Sequence, residues 1–139
     1  MLIARMSDLP QDSEARASLV ALVEDDQDMR ETMKELLESL GHEVCTAEDG
    51  ERGIELIVHR QPHVALVDIH LPGIDGCEVA ERVRAHLGPG RVRLIALSAL
   101  AFAADHERSQ QAGFEAHLVK PPDLDLLERL LAGSPERSK

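Results

Sequence analysis

At 139 residues the chain is the size of one domain, long enough to bury a core without disulfide or metal staples. A formal charge of -11 and a pI near 5.0 exclude a phosphate-tracking basic surface. With Phe102 and Phe114 as its aromatics and no Trp or Tyr, it also lacks the rings needed to stack bases or sugars, so no nucleic-acid contact is expected from this chain alone.

The opening MLIARM is too short for the apolar region of a signal peptide, and no apolar run approaches a membrane span, so a cytoplasmic protein without membrane contact is expected. Cys45 and Cys77 lie far apart in apolar or helical surroundings and read as two small hydrophobes in a reducing compartment rather than a disulfide. SDLPQDSEARAS, residues 7–18, is polar without a period. The expected organisation is a flexible leader or linker over 1–17, one folded unit over 18–132 and a fraying tail over 133–139.

Within the folded unit the signal alternates. An apolar run at Leu19–Val23 precedes a helical pattern carrying Met29, Met33, Leu36, Leu37 and Leu40, stopped by Gly41. Val44–Thr46 follows, then a helix from about Asp49 to Arg60 that turns Ile54, Ile57 and Val58 inward, then a strand at Val64–Val67. A helix over Cys77–His86 buries Val79, Ala80 and Val83 before the strand Val92–Leu97. Last come a helix near Ala103–Ala112, a strand at Ala116–Val119 and a Leu-rich helix after Asp123. Uniformly apolar strands separated by helices imply a parallel sheet covered on both faces. The expected fold is α/β, a flavodoxin-like doubly wound (βα)5 three-layer sandwich with strand order 2-1-3-4-5.

Ligands bind such sheets at the carboxyl ends of the strands. There the first strand ends in Glu24, Asp25 and Asp26, the third in Asp68, the fourth in Ser98 and the fifth in Lys120. Each alone reads as a cap, a turn former or surface charge; their coincidence at one edge points to a site. Two carboxylates about 5 Å apart repel by roughly 3 kcal/mol at an effective dielectric of 20, so the acids are expected to be strained unless protonated or metallated. Oxygen-only ligands favour Mg²⁺; zinc would want His or Cys, and the seven histidines show no paired spacing to supply them. Asp68, held beside Mg²⁺ with Lys120 and Ser98 opposite, is suited to attack a phosphoryl group.

VEDD at 23–26, VDIHLPGIDG at 67–76, ALSA at 96–99 and LVKPP at 118–122 resemble, in order and separation, the receiver domain of two-component response regulators, over about Leu19 to Leu131. The resemblance implies a signalling phosphoacceptor rather than an enzyme, with at most slow self-dephosphorylation. It implies Asp68 as phosphoacceptor, Ser98 as switch hydroxyl and Lys120 as counter-charge to the phosphoryl group. Mg²⁺ would be held by Asp25, Asp68, Glu24 through a water, and the backbone carbonyl of His70. Pro121 resembles the family proline that follows a cis bond, an ordinary trans turn being the alternative. For Asp26 the choice lies between helping the acids and capping the helix, with capping preferred.

His117 stands where many receivers place a Tyr or Phe that turns inward on activation; a ring exposed on the strand surface is the other reading. His70 and Leu100 flank the pocket where phosphate lifetime is set, and an apolar Leu100 would hinder an attacking water. AGFEAHLVKP, residues 112–121, resembles receivers attached to hybrid sensor histidine kinases. Implied partners are a histidine kinase or histidine phosphotransfer domain, and a downstream protein on the face of the fourth helix, fifth strand and fifth helix. Alternatives are a Mg²⁺-dependent phosphohydrolase working through an aspartyl phosphate, disfavoured by His70 at the general-acid position and by the lack of a lid insertion, and a docking module indifferent to phosphorylation.

Overall fold

The computed structural model describes residues 18–99, 103–120 and 122–132, with residues 103–105 described by backbone alone. The leader and tail expected at 1–17 and 133–139 lie outside the described residues, as do Leu100 and Pro121.

Five strands, β1 (Leu19–Val23), β2 (Glu43–Ala47), β3 (Val64–Asp68), β4 (Arg93–Ser98) and β5 (Ala116–Val119), form one sheet in the order β2-β1-β3-β4-β5. Every neighbouring pair is parallel. The helices α1 (Gln27–Ser39), α2 (Gly50–Arg60), α3 (Gly76–Leu87), α4 (Ala103–Ala112) and α5 (Leu124–Ala132) alternate with them. The expected doubly wound architecture and strand order are what the chain adopts.

Side chains alternate across each strand, and the two faces carry separate cores. Val20, Leu22, Val64, Leu66, Ile95, Leu97 and Leu118 pack on Met33 and Leu37 of α1 and Leu127 and Leu131 of α5. Ala21, Val23, Ala65, Val67, Leu94 and Ala96 face Ile57 of α2, Val79, Ala80 and Val83 of α3, and Ala112 and Phe114 at the end of α4. Burying a Val or Leu side chain fully contributes about 1.5–3 kcal/mol, so a sheet buried on both faces is the main source of stability. β3, buried along its whole length, is its centre.

Several boundaries differ from the sequence expectation. β2 extends to Glu43 and Ala47, because parallel pairing with Leu19 and Val23 recruits residues that an apolar run does not mark. Val58, expected inward on α2, is half-buried. The helix is instead seated through Ile57 and Gly53: a Cβ at Gly53 would stand 2.8 Å from both Val23 methyls. Only a residue without a side chain allows that approach.

At the end of the sheet away from the strand tips, the Arg93 guanidinium binds Glu115 at 2.5 Å and donates to the carbonyls of Leu130 at 2.5 Å and Leu131 at 3.4 Å. One side chain thus caps the last turn of α5, whose terminal carbonyls have no intrahelical partners.

Candidate functional site

Parallel registry decides which groups meet. Val23 pairs with Val67, Asp68 with Leu97, and Ser98 with Val119, so Glu24, Asp68, Ser98 and Lys120 leave their strands at one edge of the sheet.

Glu24 has a side chain with no solvent exposure, yet it is fully engaged: Oε2 accepts from the Asp26 N–H at 3.1 Å and Oε1 from Lys120 Nζ at 2.8 Å. Burial, the largest influence, pushes its carboxyl above the ordinary value. Asp25 is exposed. Asp26 caps α1, accepting from the N–H groups of Asp28 and Met29 at 2.9 and 3.2 Å. Arg30 Nη1 ties the turn down by donating to the Glu24 carbonyl at 2.8 Å.

Asp68 is buried at the end of β3. Its Oδ1 accepts from the His70 N–H at 2.9 Å and its Oδ2 from Lys120 Nζ at 3.1 Å. The chain then turns through Gly73, at φ 76°, where a side chain would be strained, and doubles back until Gly76 N–H reaches the Ile69 carbonyl at 3.2 Å. A Cβ on Gly76 would collide with the Asp68 carbonyl and stand 2.6 Å from Ile69 Cα. Two glycines therefore let the loop close against the acid. Asp75 then caps α3 through the Glu78 N–H at 3.0 Å and pairs with Arg108 at 2.7 Å. Burial alone would raise its carboxyl, but these bonds outweigh it and hold it below the ordinary range.

Lys120 lies between Glu24 and Asp68 and offsets part of the repulsion expected among the three acids. Burial works against its ammonium, but the two carboxylates outweigh it and raise its pKa above the ordinary value.

Ligand oxygens of Glu24, Asp25 and Asp68 lie within 4.8 Å of one another. Oxygens on a six-coordinate Mg²⁺ at about 2.1 Å stand about 3 to 4.2 Å apart. The 4.8 Å spread is wider than that shell, so the side chains would close in or reach the ion through water, and their all-oxygen chemistry suits Mg²⁺ rather than zinc.

Glu24, Asp25, Asp68 and Lys120 are thus brought together. The Ser98 hydroxyl, at the neighbouring tip, lies 2.9 Å from His117 Nε2. The His117 ring is half-buried, not displayed on the surface: Nδ1 lies 3.3 Å from Ser109 Oγ, and the ring stacks on His106 at 5.5 Å. At His70 the recorded contact with Asp68 is its N–H, while its side chain is exposed. Sequence reasoning missed Arg30, Asp75 and Ser109; a signal existed for Asp75, three residues before Glu78 at a helix start.

A family model described as the response regulator receiver domain matches residues 20–132. The chain belongs to this family. The receiver domain is 31% identical over 102 residues to the polar-differentiation response regulator DivK of Brucella anthropi, covering 73% of this chain and 83% of that protein. It is 35% identical over 106 residues to the gliding motility regulatory protein of Myxococcus xanthus, covering 76% of this chain but only 14% of that much longer protein. Among solved structures it is similar to the receiver domain of a sensor histidine kinase from Pseudomonas aeruginosa PAO1, with a TM-score of 0.76, 32% identity and coverage of 83% and 94% of the two chains. That structure holds a magnesium ion coordinated in the active site cleft. Receiver domains are signalling domains that work with histidine kinases or phosphotransfer proteins and with downstream effectors. Among the described residues no helix is long and apolar enough to cross a membrane.

Proposed function

We propose that this receiver domain accepts a phosphoryl group on Asp68 from the phosphohistidine of a histidine kinase or histidine phosphotransfer domain. An Asp68 carboxylate oxygen forms the new bond to phosphorus as the N–P bond breaks, and the electron pair leaves with the donor imidazole. The observation that carries this reading is the position of Lys120 Nζ, 2.8 Å from Glu24 and 3.1 Å from Asp68, with three acids converging at one strand edge.

Glu24, Asp25 and Asp68, with the His70 carbonyl, would hold Mg²⁺, which when bound neutralises phosphoryl oxygens and orients the group for in-line transfer. The His70 N–H fixes the Asp68 carboxylate against rotation. Lys120, 3.1 Å from Asp68, is close enough to move from carboxylate to phosphoryl oxygen, and the Ser98 hydroxyl, at the neighbouring strand tip, would be drawn to another. Phosphorylation then biases a two-state equilibrium and changes partner preference on the face of α4, β5 and α5, where Val119, Leu124 and Leu126 are exposed. Release of the phosphoryl group is slow self-hydrolysis, its rate set by the residue types at positions 70 and 100.

The test is labelling by a small-molecule phosphodonor with Mg²⁺ in the wild type and in Asp68→Asn. Stoichiometric, magnesium-dependent labelling of the wild type alone is expected. Equal labelling of both proteins, or continuous turnover of donor, overturns the assignment.

A further inference from the structure

The hydroxyl of Ser98 is needed by the proposed chemistry, and its proton already has a destination. Ser109 Oγ donates to the His106 carbonyl at 2.9 Å. A serine hydroxyl has one proton; given to the His106 carbonyl, it leaves Ser109 an acceptor toward His117 Nδ1, 3.3 Å away. The tautomer this arrangement favours carries its proton on Nδ1. In a neutral imidazole the other nitrogen is then an acceptor, and Nε2 takes the Ser98 hydroxyl proton at 2.9 Å. A directed relay runs from Ser98 through His117 and Ser109 to the His106 carbonyl.

The relay is built into the packing. Ser109 is 1% exposed. Ala96 pairs with His117 across the β4–β5 ladder, which sets His117 on the same face of the sheet as Ser98. The His106 ring lies parallel to that of His117, 8° off, and limits its tilt.

Phosphoryl oxygens accept hydrogen bonds, so Ser98 can serve a phosphoryl group on Asp68 only by donating the proton it now gives to Nε2. We propose that His117 is a positioning residue for Ser98: neutral and fixed as the Nδ1–H tautomer by Ser109, it withholds the Ser98 proton. When Nε2 gains a proton from solvent it becomes a donor, Ser98 accepts from it, and the serine O–H is released for the phosphoryl oxygen. This rests on the proposed role of Asp68 and adds a tautomer lock to it. The coupling is reciprocal: whatever draws the Ser98 proton away must make His117 easier to protonate.

Among the described charged and titratable groups, His106 of α4 faces the ring directly. Arg108 of the same helix is turned to Asp75, and Glu107 is exposed. Arg84 of α3 donates to the Ala112 carbonyl, Arg93 of β4 is held by Glu115 at the far end, and Lys120 of β5 is held by Glu24 and Asp68. Two stacked imidazoles resist charging together, so His106 is the necessary control.

The experiment uses the whole chain and nitrogen-15 imidazole NMR. Without ligand near pH 8, His117 is expected to carry its proton on Nδ1; a proton on Nε2 overturns the relay. Beryllofluoride with Mg²⁺ then stands in for the phosphoryl group, and its affinity is followed between about pH 5.5 and 8, around the ordinary histidine pKa. Relative to His117→Phe, the wild type is expected to gain about three- to tenfold in affinity on acidification, with the His117 midpoint rising on binding by about half to one pH unit. Matching pH profiles in the two proteins, or a pH dependence that vanishes in His106→Gln yet persists in His117→Phe, overturns the proposal.

Ser109→Ala gives a second arm that keeps the ring. Freed from its lock, His117 populates the Nε2–H tautomer and binding at pH 8 tightens; unchanged binding counts against the relay. Absence of beryllofluoride binding at every pH, together with absence of Asp68 labelling, would remove the phosphoacceptor reading itself, whereas normal binding with an unaltered pH profile removes only the role of His117.

Discussion

Lys120 donates at 2.8 Å to Glu24, a carboxylate whose side chain is wholly shielded from solvent, across 96 positions of sequence. Removing one partner of a buried pair strands the other charge and costs about 3–5 kcal/mol. Lys120→Met is therefore expected to lose about 3 kcal/mol of stability in urea at pH 7 without Mg²⁺, and to regain part of it when Mg²⁺ binds the folded state. Stability equal to the wild type in chelator would contradict this.

The same lysine sets a sign for the alkaline limb. Its folded-state pKa lies above the unfolded value of 10.5. Its contribution is thus fully present below 10.5 and is lost as pH rises through the folded value. Unfolding in base should be steeper above pH 10.5 in the wild type than in Lys120→Met, as read by circular dichroism at fixed urea. Parallel curves would exclude this contribution.

Adjacent acids at the β1 tip are expected to separate by function. Asp26→Ala removes the cap of α1 and should cost about 1 kcal/mol while leaving Mg²⁺ affinity close to wild type. Asp25→Asn removes an exposed carboxylate from the candidate cation site. It should weaken Mg²⁺ binding about tenfold or more with little loss of stability. Calorimetric titration and urea melts distinguish the two, and interchanged effects would refute the division.

Gly76→Ala places a methyl group against the Asp68 carbonyl and Ile69 Cα, both backbone atoms that cannot swing aside. Overpacking of this kind costs about 1–3 kcal/mol. The variant should also lose Mg²⁺ affinity, because relief requires the loop to retreat from Asp68. A stable variant with unaltered affinity would show that the loop has slack.

Asp75 is expected to matter in acid. Its carboxyl is held below the unfolded value of 3.8, so its contribution is present above 3.8 and disappears as pH falls through the folded value. Asp75→Ala should cost about 1 kcal/mol at pH 7 as the α3 cap is lost. Asp75→Asn, which keeps a capping oxygen, should cost less and flatten the acid limb.

The central strands were legible because their apolar runs are buried on both faces, as at Val64–Val67, and the edge strands β2 and β5, only partly buried, through the helices that alternate with them. Ends were less legible: Glu43 and Ser98 belong to strands through backbone pairing, which hydropathy does not register. At the site, residue types and chain positions identified Glu24, Asp25, Asp68 and Lys120 as candidates, but not how the acids are balanced when no ion is present. That depends on the reach of the Lys120 side chain between two carboxylates, a tertiary distance. The bond between His117 and Ser109 was hidden for a similar reason. It joins a helix to the strand after it, and only the path of the intervening turn brings them into register.

The guanidinium of Arg93 fastens the C-terminal turn of α5 to the sheet and to Glu115, while the N-terminal turn of that helix starts just beyond Lys120. With its far turn held by Arg93 and its middle seated through Leu127, α5 has its least restrained end nearest Lys120, and a rearrangement begun there is expected to be felt first where Leu124 and Leu126 meet solvent.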